Sequence, residues 1–509
     1  MDFFPSFVQL GESLSRVMNW QIFLEVSWAV ALGVLFGCLP GLTATMAVAL
    51  LTGLTFGLDV FHALAILIGL YVGAIYGGSR AAILVNIPGT PASAATSVDG
   101  YPLVMKGQAS FALSLATTAS FIGTIFGLCL LFLISPLLSK LALKFGTHEY
   151  FLLSLFGIMI CGSVTSKEAI KGWIAGCLGL LISSIGIEAI QAYPRFAYGN
   201  IQLSGGIALI PAMIGVFGIP EVIMALQSGT GEKIVQGVGN GFRSILKETL
   251  RAMAAVVKYW PVSLRSGAIG SLIGAIPGTG GDIACWVSYD IEKKINKEGE
   301  KFGTGKIEGV LAPEVANNAV IGGAFIPMLT LAVPGDAVTA VIAALWLHGI
   351  RPGPLLMFEM PHVYYNIVAL ILVSAIAMLI IGQLLTPLLV KVLAIPKGQL
   401  MPVVVVLSII GAYAINNKMF DVEVMLLFGL IGYFMRLGGF PAAPLTLGII
   451  LGPMADENLR RSLMLSNGSI LPFFQRPISV ILIAVIMMLI YFEVRKNIYK
   501  KAKVKPTNA

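Results

Sequence analysis

Four Pro-Gly steps, each set in an apolar run and each followed by small polar side chains, are the residues of this chain with most chemistry to offer. Pro40-Gly41 leads to Thr43 and Thr45. Pro88-Gly89 follows Asn86 and leads to Thr90 and Ser93. Pro277-Gly278 leads to Thr279 and Asp282, and Pro334-Gly335 to Asp336. Proline has no amide donor and clashes with the preceding helical turn, so each step should interrupt a helix. An interruption frees carbonyl oxygens on one side and amide hydrogens on the other. Carbonyls beside Asn, Thr and Asp oxygens suit a small hard cation, and helix N-termini suit a carboxylate.

On that chemistry Asn86, Pro88, Gly89, Thr90, Ser93, Asn317, Asn318, Pro334, Gly335 and Asp336 are candidates for holding an anionic ligand. Thr43, Thr45, Pro277, Gly278, Thr279 and Asp282 are candidates for an ion, with Na⁺ a possibility at Thr43, Asp282 and Asp336. Either aspartate could instead carry a proton, because burial disfavours its charged form. The competing reading makes the prolines simple kinks and Asp282, Asp336 and Asn317-Asn318 helix caps. One Pro-Gly step alone favours a kink; four in two ordered pairs favour a site. Arg80 is the cation of the first broken stretch, Gly77 to Tyr101. It could pair with an anion or snorkel to the membrane surface.

The elements around these residues must be membrane helices. The 509 residues are 57% hydrophobic and 11% charged, against about 25% charged in a soluble domain. Irregular backbone at membrane depth is tolerated only where protein or a wet cavity covers it. The expected fold is all-α and polytopic, with about 12 crossings and two pairs of broken or re-entrant helices. Val26 to Leu58 is uncharged and would make a helix ~50 Å long against a hydrocarbon core of ~30 Å, so it must break, at Pro40-Gly41. Val60 to Ser79 reads as a span, followed by a loop carrying Asp99 and Lys106. Gly107 to Ser139 reads as a tilted span with a bend at Ser135-Pro136.

In order, residues 1–25 read as an interfacial segment and 26–220 as a first membrane repeat with its following helices. Residues 221–258 read as a polar amphipathic linker, 259–492 as a second repeat with its helices, and 493–509 as a basic cytoplasmic tail. The repeat is visible as GVLFGCLPGLTAT from Gly33 and GSLIGAIPGTGGD from Gly270. Gly77-Gly78 and Pro88-Gly89 are then echoed by Gly322-Gly323 and Pro334-Gly335, with one residue inserted. Interrupted helices in corresponding positions of two halves point to a binding site. Glu292 to Lys306 carries five lysines and the turn near Asp59 has no basic residue, which predicts opposite sidedness and inverted repeats.

Other chemistries are disfavoured. GTGK at 303–306 lacks the first glycine and final hydroxyl of a phosphate-binding loop. His148-Glu149 has no second histidine, and no G-x-S-x-G elbow is present. The five cysteines form no CxxC pair and read as packing residues. The net charge of +8 is a loop and tail excess rather than a nucleic-acid surface. A secondary transporter, not an enzyme, fits best. A channel built from re-entrant loops is the first alternative and an intramembrane enzyme the second.

Four stretches carry a resemblance: the PGLTATMAVALLTGLTFGL run to residue 58, YGGSRAAILVNIPGTPASAATSVDGYPLVMKGQA at 76–109, GAIPGTGGDIACWVSY at 274–289 and APEVANNAVIGGAFIPMLTLAVPGDAVTAV at 312–341. With them the chain resembles the large membrane subunit of the tripartite tricarboxylate transporters, the TctA type. The resemblance implies uptake of citrate or another di- or tricarboxylate across the bacterial inner membrane, driven by Na⁺ or H⁺ and with no other cofactor. It implies a small TctB-type membrane subunit and a periplasmic TctC-type solute-binding protein as partners, and leaves a homodimer open. It also implies kinship with elevator-type transporters whose paired hairpins hold the substrate.

Overall fold

A computed structural model describes residues 6–39, 42–55, 57–165, 168–188, 190–227, 242–343, 352–386, 388–389 and 397–504. The Pro40-Gly41 step, residues 228–241 of the linker and the last five residues of the tail lie outside them. The described chain is almost wholly helical, as it must be where no water is available to pair with backbone groups. It is an all-α polytopic membrane protein.

In chain order the first helices are α1 (Phe7–Val17), α2 (Trp20–Cys38), α3 (Ala44–Thr55), α4 (Val60–Val85), α5 (Ala94–Met105) and α6 (Ala109–Ala142). Next come α7 (Thr147–Thr165), α8 (Ala169–Ser183), α9 (Ile201–Ser204), α10 (Leu209–Met213), α11 (Ile219–Gln227) and α12 (Phe242–Lys258). The second repeat holds α13 (Trp260–Gly274), α14 (Gly280–Ile295), α15 (Ile307–Leu331) and α16 (from Ala337). After it come α17 (Leu356–Glu359), α18 (Pro361–Leu384), α19 (Lys397–Asn416), α20 (Met419–Leu437), α21 (Ala442–Leu465), α22 (Pro472–Gln475) and α23 (Pro477–Val504). Among the described residues α2, α4, α6, α7, α15 and α18 are long and apolar enough to cross a membrane, and five further apolar helices are shorter.

The chain forms two compact units, Met1–Lys140 with Ala208–Phe434, and Leu141–Ile207 with Met435–Ala509. Both sequence repeats fall in the first. In the second unit, Glu149 accepts from Arg476 Nε and Ser479 Oγ, both at 2.7 Å, and Arg195 grips Asp456 with both terminal nitrogens.

Within the first unit α2 packs along α4 as α13 packs along α15. Glycines at four-residue spacing make the approach possible. A Cβ on Gly33 or Gly37 would run into the α4 backbone, and one on Gly270 or Gly274 into the α15 backbone. The shift of 237 residues that carries Gly33 to Gly270 becomes 246 after the first hairpin. The nine extra residues lie in the longer α14 and the longer loop after it, and the register past that loop needs no insertion. The Gly89 amide donates to the Gly78 carbonyl at 3.2 Å, and the Gly335 amide to the Ala324 carbonyl at 3.3 Å. Asn86 and Ala332 both end their helices in the left-handed conformation, at φ 57° and 59°. Gly77-Gly78 therefore corresponds to Gly323-Ala324, not to Gly322-Gly323. Asparagine is favoured in this conformation, whereas an alanine there costs about 1–2 kcal/mol.

Several boundaries differ from the sequence reading. The α4 helix continues through Gly77 and Arg80 to Val85, so the first break begins only at Asn86. Asp99 is in α5 and fully buried, not in a loop. Pro136 lies inside an uninterrupted α6.

Candidate functional site

The two breaks that end α4 and α15 face helices of the opposite repeat. Asp336 follows the second break. Its Oδ1 accepts from the Thr339 amide and hydroxyl, both at 2.7 Å, and its own amide donates to Thr339 Oγ1 at 3.1 Å. This reciprocal cap starts α16. Its Oδ2 accepts from the Tyr71 hydroxyl of α4 at 2.5 Å. Asp336 is thus a cap, as the competing reading had it, and also a bond between the repeats.

The 246-residue register carries Tyr71 to Asn317 and Asp336 to Thr90. The mirrored pair is as deeply buried, with Asn317 1% and Thr90 3% exposed. Its polar atoms are nevertheless unused. Asn317 Nδ2, Asn317 Oδ1 and Thr90 Oγ1 have no hydrogen-bond partner among the described residues. A buried polar atom left so costs about 1–3 kcal/mol, a cost that native proteins seldom carry without a reason. Asn318 Oδ1 is likewise unpartnered, while its Nδ2 donates to the Glu314 carbonyl at 3.0 Å. Both asparagines lie in the middle of α15, which removes the capping role considered for them.

Around this unpartnered pair the remaining candidates gather. The short helix Pro91–Ser93 packs against both α14 and α15. A Cβ on Gly281, at the start of α14, would collide with Asn317 Oδ1 and lie 3.3 Å from the Ala92 Cβ. Glycine here lets the Asn317 side chain pack directly against the start of α14. Gly280, at φ 73°, brings Asp282 Oδ1 and the Asp336 Cβ together. Asp282 itself is exposed, in the first turn of α14 between buried Gly281 and Ala284. Ser93 Oγ donates to the Thr90 carbonyl at 2.8 Å. Gly89 and Gly335 are pressed onto the carbonyls of Gly37 and Gly274, so with Pro88 and Pro334 they shape the backbone.

Some candidates lie apart from this gathering. Asn86 is exposed at the end of α4. Thr43 Oγ1 accepts from the Met46 amide and so caps α3, while Thr45 is buried in its first turn. Thr279 Oγ1 donates back to the Ile276 carbonyl at 2.9 Å after Pro277 and Gly278. Asp282 and Asp336 converge on Gly280. Among the described residues no group of three or more His, Cys, Asp or Glu side chains could hold a metal ion.

Sequence reasoning missed Tyr71 and Glu314, put Asp99 in a loop and left Arg80 between two roles. Tyr71 was passed over inside an apolar span. Glu314 is fully buried, its carboxylate accepting from Thr96 Oγ1 at 2.5 Å and Ser120 Oγ at 2.8 Å. Its signal was available, since it is an acid inside an otherwise apolar helix. Arg80 does not snorkel. It is fully buried, over the Tyr76 ring at 4.6 Å, with its terminal nitrogens on the Thr117 and Thr386 hydroxyls.

Asp99 of α5 grips the second repeat. It accepts from the amides of Gly303, Gly305 and Lys306 at 2.7–3.0 Å and from the Tyr289 hydroxyl at 2.9 Å. The GTGK loop is thus a nest for a carboxylate of the protein's own.

Comparison with known proteins agrees with this architecture. The model of the family described as tripartite tricarboxylate transporter TctA matches residues 23–447. An Agrobacterium vitis protein named "Uncharacterized 52.8 kDa protein in TAR-I ttuC' 3'region" is 37% identical over 458 residues, covering 90% of both chains. A second from the same organism, "Uncharacterized protein in TAR-II ttuC' 3'region", is 38% identical over 233 residues, covering 46% of this chain and 96% of the relative. No solved structure matches. A match over most of the chain, on a helical membrane fold with paired breaks, leaves one assignment: this chain belongs to the tripartite tricarboxylate transporter TctA family.

Proposed function

We propose that the chain is the ion-gradient-driven permease subunit of a binding-protein-dependent uptake system for di- or tricarboxylates, and that a substrate carboxylate docks between Thr90 and Asn317. The observation that carries this reading is the contrast between two pseudo-equivalent places. In one, the Asp336 carboxylate is satisfied by Tyr71 and Thr339. In the other, the residue in the place of Asp336 is Thr90, the residue in the place of Tyr71 is Asn317, and three polar atoms lack a partner. A carboxylate brought by the substrate supplies the acceptor that Asn317 Nδ2 and Thr90 Oγ1 are missing. The cost of leaving them bare is then recovered on binding.

The family's usual partners, a small TctB-type membrane subunit and a TctC-type binding protein, belong to the same proposal. So do residence in the bacterial inner membrane and a cytoplasmic C-terminus. The test is uptake of labelled di- and tricarboxylates into proteoliposomes holding the membrane subunits, with the binding protein added. Accumulation above the outside concentration is expected, and Asn317→Ala should abolish it while the protein still inserts. Equilibration without accumulation would instead identify a channel.

A further inference from the structure

Three of the buried carboxylates of the first unit, Asp99, Asp336 and Glu314, are held in three different ways. Asp99 receives three backbone amides and a phenol. Amide hydrogens cannot turn round, so this group is fixed as an acceptor. Asp336 receives one amide and two hydroxyls. Glu314 is held through its two side-chain oxygens by hydroxyls alone, those of Thr96 on α5 and Ser120 on α6. A hydroxyl donates to a carboxylate and, after rotation about its C–O bond, accepts from a carboxylic acid. Either oxygen of Glu314 can therefore carry a proton, whereas Asp336 offers only Oδ2, held by Tyr71 alone, and both oxygens of Asp99 take a backbone amide.

Arg80 is the complementary oddity. Its guanidinium is fully buried, and no carboxylate among the described residues comes within 4.0 Å of it. Its Nε has no partner. Thr117, which holds Arg80, and Ser120, which holds Glu314, lie one turn apart on α6. Glu314 also precedes Asn317 by three residues on α15, so the two share a helix face.

We propose that Glu314 is the group that takes up and releases the coupling proton, and that the charge of Arg80 is balanced in turn by the Glu314 carboxylate and by the anionic cargo. The proposal rests on the transporter reading above. In the unloaded state Arg80 is balanced by ionised Glu314. A proton from solution adds to a Glu314 oxygen, no other bond breaks, and the Thr96 and Ser120 hydroxyls reverse. The field of Arg80 then falls to a substrate carboxylate one turn away at Asn317. By linkage, cargo binding favours proton uptake by the same factor that the proton favours cargo.

Other charged groups on the packed elements are already committed. On α5 Asp99 is held by amides, and on α13 Arg265 pairs with Glu292 of α14 at 2.8 Å. Asp336 before α16 is bonded to Tyr71, a titratable phenol of α4. On α14 the Cys285 thiol donates to the Asp282 carbonyl at 3.2 Å, while exposed Asp282 lies at Gly280. The α6 helix presents hydroxyls to Glu314.

The test uses the full chain with its partner subunits in proteoliposomes and labelled citrate, succinate and tartrate as probes, with a pH gradient or a Na⁺ gradient imposed singly. Wild type should accumulate label under the pH gradient alone. Glu314→Gln should lose that accumulation by about tenfold or more, yet exchange internal for external label with no dependence on pH. Glu314→Asp, which keeps an acid on a shorter stem, should shift the pH midpoint of uptake, and guards against a glutamine variant that fails to fold. Accumulation at the wild-type level in Glu314→Gln, or an unmoved midpoint in Glu314→Asp, overturns the proposal. Wild-type accumulation driven by Na⁺ and indifferent to pH overturns the proton and leaves the transporter reading standing. No accumulation under either gradient overturns both.

Discussion

The Tyr71 hydroxyl meets the Asp336 carboxylate at 2.5 Å, whereas Asn317 and Thr90, their counterparts in the other repeat, leave three buried polar atoms without a partner. A hydrogen bond between helix and break in one direction, with unpartnered polar atoms at the equivalent place in the other, breaks an otherwise approximate two-fold relation.

Two substitutions separate the bonded place from the unpartnered one. Tyr71→Phe removes a donor from a buried carboxylate and should destabilise the protein by about 1–3 kcal/mol. Asn317→Ala breaks no existing side-chain bond, so it should lower thermal stability less while abolishing uptake. Thermal unfolding in detergent, run beside the transport assay, checks both.

Asp99→Asn removes the charge that orders three loop amides. Hydrogen bonds to a charged group contribute about 1.5–3 kcal/mol each, so the loop around Gly303 should loosen. Trypsin should cleave at Lys301 or Lys306 several-fold faster than in wild type. Unchanged cleavage would show the loop to be held by something else.

Glu298 lies in the same loop, outside the membrane-spanning helices. Hydrogen bonds from Lys301 and Lys306 pull its carboxyl from 4.5 down to about 2. A depressed folded pKa means that these contacts are at full strength above the ordinary value and fade as pH falls toward the folded one. Hydrogen exchange across Glu298–Lys306 should therefore be level above pH 4.5, after correction for intrinsic rates, and rise between there and about pH 2. Glu298→Gln should show no such rise.

Gly89 and Gly335 sit against the Gly37 and Gly274 carbonyls with no room for a methyl group. Alanine at either position forces the backbone of a break to move, a cost of about 1–3 kcal/mol or more. Both variants should give less monodisperse protein on size exclusion, and to similar extents, because the two positions are equivalent.

We predict that the repeats are inverted, from the lysines of the 292–306 stretch and their absence near Asp59. Single cysteines at 59 and 297 should react with an impermeant reagent from opposite sides of the membrane. Reaction of both from one side would refute inversion.

Much of this architecture was legible in the sequence because prolines and glycines act locally. Pro88 and Pro334 follow the left-handed residues that end α4 and α15, and the Gly-x3-Gly spacing at Gly33 and Gly270 marks close backbone approach at any depth. What escaped was what depends on the partner across the gap. Nothing local distinguishes Tyr71 from a packing tyrosine, and only the 246-residue register pairs it with Asn317. Asn317-Asn318 resembled a cap because the pair leads into the second broken segment, yet both residues lie in the middle of α15. Arg80 resembled a surface cation because its acceptors, Thr117 and Thr386, are far away in sequence.

The grip of Asp99 on residues 303–306 also limits how the molecule can work. Four donors on one side chain weld the α5 arm to the crossover that follows α14. Cargo release by prising these two parts open would break all four contacts at once. Under the transporter reading proposed above, these two parts should therefore move together.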